Sequence, residues 1–169
     1  VGVETYSKKT FSPQRYEIWT MQSSWHNLPE FEPEGAGYQQ QPGAEFSARD
    51  VAVSDALDAI TMDIAPAYGA VPGLGFYRRR VQLNENGLTL QDETDFSRTV
   101  ALTLMSVEKP AVDGSTVQFG ALAAAHVDGA QRIMTESVPI TDPRLRQAWP
   151  DTLYRTRICF TGALTVEVQ

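Results

Sequence analysis

Apolar and polar residues alternate along most of this chain with a period of two. Ile60, Met62 and Ile64 alternate with Thr61 and Asp63, and Val81 and Leu83 flank Gln82. Leu88 and Leu90 flank Thr89, Val100, Leu102 and Leu104 flank Ala101 and Thr103, and Val166 and Val168 flank Glu167. Successive side chains of a strand point to opposite faces, so these runs predict half-buried strands with one face on a core and one in water. Asn86-Gly87, Asp113-Gly114, Asp128-Gly129 and Thr161-Gly162 punctuate them as turns. Asn84-Glu85-Asn86-Gly87 predicts a β-hairpin, and Asp128-Gly129 predicts a second one joining residues 122–127 to 131–138. Tyr16–Gln22 reads as a further alternating run.

Helical periodicity is nearly absent. Only the stretch from Asp142 to Trp149 predicts a short helix, over residues 143–149, with Asp142 as N-cap, Pro143 in the first turn and Pro150 as the stop. Many short strands and almost no helix predict an all-β fold, an antiparallel β-sandwich of about eleven strands, with a closed barrel as the alternative. Residues 28–43 carry Pro29, Pro33, Pro42, Gly35, Gly37 and Gly43 among Glu30, Glu32 and Glu34, which predicts a long surface loop with solvated acids. Residues 65–75 predict a second loop. With no internal repeat and no linker, residues 1–169 read as a single domain.

Composition narrows the functional classes. The length of 169 residues suits one domain with a real core, and the net charge is −7. That charge argues against sequence-independent nucleic-acid binding, which needs a basic face. No apolar run is long enough for a membrane-spanning helix. The lone Cys159, set between Ile158 and Phe160, cannot form an internal disulfide and reads as an inert buried thiol. Two histidines and one cysteine leave no room for an all-His/Cys zinc site. The start, Val1-Gly2-Val3-Glu4, has no signal-peptide character and reads like the middle of a protein, so the chain is expected to be an excised piece. Its compartment, whether cytoplasmic, periplasmic or secreted, is left open.

Few residues suggest chemistry on their own. His26, in Trp25-His26-Asn27, follows the Tyr16–Gln22 run and precedes the loop, where it reads as a general base, a metal ligand or an imidazole satisfied by backbone. His126 reads as a wet strand residue. In Arg78-Arg79-Arg80 the outer two share one strand face, so the run is not a three-charge patch. Eleven of the fourteen basic residues are Arg, which suits either bidentate anion contacts or cross-strand pairing with the surplus acids. Tyr6, Lys8 and Lys9 read as a polar rim or a frayed terminal strand, and Asp92–Asp95 as a turn. No Ser/His/Asp set, phosphate loop or close carboxylate pair stands out.

The order of several short motifs adds to this reading. Val1–Tyr6, Arg15-Tyr16 and Trp25-His26-Asn27 ahead of a Gln- and Gly-bearing loop resemble the β-sandwich region of heparinase II/III-type polysaccharide lyases. Asp63–Tyr68, Tyr77–Val81, Leu90–Glu93, and Trp149 with Tyr154-Arg155 continue the likeness over nearly the whole chain. The resemblance implies the C-terminal sandwich of a bacterial enzyme whose N-terminal α/α toroid forms the opposite wall of the cleft. Such enzymes cleave acidic, uronate-containing polysaccharides by β-elimination. The uronate carboxylate is neutralised, a base removes the C5 proton, and an acid protonates the leaving oxygen.

The resemblance places the catalytic tyrosine in the toroid and the catalytic histidine upstream of Val1, so it implies no catalytic residue here and no activity for the chain alone. His26, Asn27, Tyr6 and Lys8 become the cleft-facing candidates. His26 also falls where heparinase II-like members hold zinc, with partner ligands expected upstream, so it is expected to be an orphaned ligand and the chain to carry no cofactor. An open sheet edge would then favour self-association. The alternatives are a stand-alone carbohydrate-binding module with an aromatic platform from Trp19, Trp25, Tyr38 or Tyr68, and a structural sandwich that mediates oligomerisation.

Overall fold

A computed structural model describes all residues, Val1–Gln169. Twelve strands form two antiparallel sheets. The smaller has four strands in the order β1 (Pro29–Phe31), β6 (Val100–Ser106), β11 (Thr152–Phe160) and β10 (Arg132–Pro139). The larger has eight. Its order is β2 (Arg49–Val53), β3 (Ala59–Asp63), β4 (Tyr77–Asn84), β5 (Gly87–Thr94), β12 (Ala163–Val168), β9 (Ala123–Asp128), β8 (Thr116–Phe119) and β7 (Pro110–Asp113). The fold is a β-sandwich, as the alternation predicts.

The core lies between the sheets. Val100, Leu102, Ile158 and Phe160 of the small sheet meet Val117, Ala125, Val127, Leu164 and Val166 of the large one, all essentially inaccessible. Phe31 sits at one end, edge-to-face with Tyr68, Tyr77 and Phe96 at centroid distances of 4.8, 5.6 and 5.2 Å. Such pairs favour edge-to-face geometry because ring edges are positive and faces negative.

Several local expectations are corrected. Asn84 pairs with Gly87 across a two-residue turn, so that hairpin forms as predicted. Asp128-Gly129 does not close a hairpin, because β9 belongs to the large sheet and β10 to the small one. Gly129, at φ +88°, carries the chain from one sheet to the other beside the β11–β12 crossing, and a Cβ there would press on the Ala163 carbonyl. The loop expected over 28–43 is interrupted by β1, whose three residues are buried. Phe31 is drawn into the aromatic cluster, and Pro29 is tolerated as the first residue of an edge strand. Of the acids there, Glu34 stays solvent-exposed as expected while Glu30 is buried and Glu32 half-buried, and the three pair with Arg132, Arg157 and Arg98 respectively. In the 65–75 loop, Ala65, Ala67, Tyr68 and Val71 are buried in the main core. Asp92–Thr94 is strand rather than turn.

The expected helix over 143–149 is one 3-10 turn, Leu145–Gln147. Asp142 does serve its start, its Oδ1 accepting from the Arg144 and Leu145 N–H groups at 3.0 Å. The space between two prolines holds fewer than about two α-turns, too little to repay helix nucleation. Tyr16–Gln22 is likewise not a strand. Residues Lys9–Trp25 form four successive 3-10 helices, with Pro13 opening the second and the Ser12 hydroxyl accepting the Gln14 N–H. This segment lies on the outer face of the small sheet. Ala101, Thr103 and Cys159, on that face, are buried, and the Thr103 hydroxyl donates to the Ser24 carbonyl. Trp19 and Trp25 pack there with Trp149 against Val138, Ile140, Leu145 and Leu153.

Candidate functional site

The N-terminal segment ends where it rounds the β1 edge, and His26 stands at that corner. Its Nε2 lies 3.0 Å from the Thr20 carbonyl, an acceptor only, so Nε2 is the donor, and in the neutral ring Nδ1 holds the lone pair. The ring borders a cavity of about 440 Å³ lined by Tyr16, Met21, Ser23, His26, Leu28 and the Gln40–Gly43 strip. The glutamine strip is latched in place. The Gln40 N–H donates to the Ser23 hydroxyl at 2.9 Å, the Gln39 side chain accepts the Ser24 N–H at 3.3 Å, and the Gln41 N–H reaches the Ala67 carbonyl at 2.9 Å.

The lining carries hydroxyl, amide and imidazole groups and no carboxylate, although the chain holds 21 Asp and Glu residues. A polyhydroxylated ligand would meet hydrogen-bonding partners there, with the Glu45 carboxylate packed against Gly43 of the wall. Chemically the site offers one imidazole nitrogen that can accept a hydrogen bond in the neutral ring, with a half-exposed tyrosine beside it.

The other expected site residues part company with His26. The Asn27 side chain faces β6 and accepts the Met105 N–H at 3.1 Å, so it fastens the corner. Tyr6 packs edge-to-face on Phe11 and under the Arg144 guanidinium, with Lys8 exposed two residues on, and neither lines the His26 cavity. Reading Tyr16–Gln22 as an alternating strand conceals Tyr16 as a cavity residue. The aromatics from which the carbohydrate-module alternative would draw a platform, Trp19, Trp25, Tyr38 or Tyr68, do not line up as one. Tyr68 is buried with its hydroxyl on the Pro29 carbonyl, Tyr38 packs on the main core, and Trp19 and Trp25 meet at 79°.

No group of three or more His, Cys, Asp or Glu residues converges in the chain. One imidazole does not make a zinc site, so these residues alone do not fit that metal.

Sequence reasoning makes Arg79 a candidate for pairing but does not reveal its depth. Arg79 and Asp92 face inward, both buried, joined by two bonds of 2.7 Å, and the Tyr77 hydroxyl donates to the same carboxylate at 2.6 Å. Burial lowers the basicity of Arg79, but the facing Asp92 charge outweighs it and holds the guanidinium firmly protonated. Burial first, then the Asp92 charge, push the Tyr77 hydroxyl far above its ordinary value, so it stays neutral and donates. The pattern that signals this depth lies in the strand phase: position 79 is in phase with Tyr77 and Val81, and position 92 with Leu88 and Leu90. No protein-family model matches the chain, and no curated protein matches it.

Proposed function

We propose that this chain is the β-sandwich portion of a heparinase II/III-like polysaccharide lyase, and that the His26 cavity faces the uronate-containing glycan. One observation supports the reading: at the histidine of the Trp25-His26-Asn27 motif, a cavity lined by hydroxyl, amide and imidazole groups meets an imidazole whose Nε2 is held by the Thr20 carbonyl, leaving Nδ1 as the acceptor of the neutral ring. Glycan hydroxyls would donate to Nδ1, and the Gln40, Gln41, Ser23 and Tyr16 side chains would bind hydroxyl or carboxylate oxygens. The catalytic tyrosine of β-elimination would come from an α/α toroid on the other side of the cleft, and the catalytic histidine from a sandwich strand upstream of Val1. The chain alone would then be inactive.

The test is a lyase assay on heparin, heparan sulfate, chondroitin, alginate and hyaluronan, read as ultraviolet absorbance of the unsaturated uronate. It compares residues 1–169 with the full translated product that contains them. Absorbance from the full product alone, reduced by His26→Ala, is expected. Turnover by residues 1–169 would place the catalytic groups in this chain and overturn the division of labour. A full product inert on all five polysaccharides would overturn the lyase reading.

A further inference from the structure

We infer that Arg79 is the positioning residue of the His26 cavity: held by Asp92, its guanidinium fixes the Asn27 carbonyl and with it the backbone that carries His26. The inference rests on reading that cavity as the glycan-facing site.

Arg79 projects from β4 into the space between the sheets. Two of its nitrogens, Nε and Nη2, are taken by Asp92, and Nη1 donates to the Asn27 carbonyl at 2.9 Å. Asn27 lies ahead of β1 in the opposite sheet, so this one side chain ties the large sheet to the residue beside His26. Other donors hold the same segment on either side. Ser24 offers its carbonyl to the Thr103 hydroxyl at 3.1 Å and to Arg155 Nη1 at 3.2 Å, and Pro29 offers its own to the Tyr68 hydroxyl at 2.7 Å. The Asn27 carbonyl has Arg79 as its side-chain donor.

Stability alone does not account for this arrangement. A buried ion pair costs so much desolvation that an apolar set of similar volume is often as stable or more so. An apolar set cannot donate to the Asn27 carbonyl. A guanidinium can do both, because its planar fork engages a carboxylate with one edge and leaves other N–H groups to point elsewhere. A side chain that carries a functional group needs its neighbours fixed to a fraction of an ångström, which is the task this geometry performs.

The experiment removes the network as a unit. Tyr77→Phe, Arg79→Met and Asp92→Leu together remove both charges and the hydroxyl of this network, so the triple variant is expected to fold with an unchanged or higher thermal midpoint. Ring nitrogen chemical shifts are then read by NMR above the ordinary imidazole titration range. In the wild type His26 is expected as the Nε2–H tautomer. In the triple variant the two ring nitrogens of His26 should move toward averaged values, while His126, beside Ser115 on the other sheet, stays put. His26 shifts identical to wild type in the folded triple variant would overturn the inference.

Arg79→Lys provides the second route, because a lysine keeps the charge opposite Asp92 but cannot span both partners. It too should average the His26 signals, and unchanged signals would overturn the inference even if the triple variant fails to fold. Tautomer loss alongside a full translated product with no lyase activity would leave Arg79 as a positioning residue and reject only the lyase reading.

Discussion

Strands β4 and β5 carry two arginine–carboxylate rungs side by side. Arg78 faces Glu93, and Arg79 faces Asp92. The first pair is solvent-exposed, with the closest nitrogen and oxygen 4.0 Å apart, and Arg78 also rests over the Phe76 ring. The second is buried, closes at 2.7 Å, and adds a tyrosine and a backbone carbonyl to its network. Residue types and strand pairing are nearly the same, and only the pleat differs. In water the pair gains little because screening and side-chain entropy cancel most of the attraction. Inside the sandwich neither partner can be removed without stranding a charge.

That contrast sets the scale of the expected effects. Asp92→Ala should destabilise the protein by about 3–5 kcal/mol in chemical unfolding, because Arg79 and the Tyr77 hydroxyl lose their acceptor together. A loss below about 1 kcal/mol would mean that water reaches the network. Asp63 provides an intermediate case. It is buried and accepts from the Ala65 and Tyr77 N–H groups at 3.0 and 2.9 Å and from Arg49 at 2.8 Å. Asp63→Ala should cost about 1–3 kcal/mol.

Asp63 also gives the contrast a pH dependence. Burial raises its pKa, but the Tyr77 and Ala65 N–H groups and then Arg49 outweigh that and hold it below its ordinary value of 3.8. A carboxyl depressed in the folded state adds stability that is fully present above the unfolded value and lost as pH falls through the folded one. Acid unfolding curves should therefore flatten below the ordinary value in Asp63→Asn relative to wild type. Smaller still, Tyr68→Phe should cost about 1 kcal/mol through the bond to Pro29. Arg78→Ala should change stability by no more than about 0.5 kcal/mol, and a larger loss would erase the distinction between the two rungs.

The legibility of the molecule in its sequence follows the same division between periodic and aperiodic stretches. In β12 the alternation states which side chains go inward, and burial follows it, whereas in β6 both faces are buried because residues 9–25 cover the outer one, and Leu83 at the end of β4 is exposed. The hairpin at Asn84–Gly87 then fixes register, so the pairing of Arg79 with Asp92 is within reach by counting back from the turn. Asp128-Gly129 misleads because a turn signal is local, whereas whether the next strand pairs with its predecessor or crosses to the other sheet depends on the whole stack. Residues 9–25 mislead for a different reason. A short alternating run fits a strand, yet Pro13 and the Ser12 cap favour helical turns. His26 draws attention as a lone histidine at a boundary. The cavity around it is not legible, because Tyr16, Ser23, Gln40 and Gln41 meet only through three-dimensional latching.

The central claim is that the His26 corner is the glycan-facing part of this sandwich. Its most direct test is a two-dimensional NMR titration of the chain with an alginate or heparin oligosaccharide, beside a neutral glucan control. The account predicts uronate-dependent shifts centred on Tyr16, Ser23, His26, Gln40 and Gln41, abolished by His26→Ala. Shifts centred instead on Arg78 and Arg80, on the outer face of the large sheet, or no shifts at saturating oligosaccharide, would contradict it.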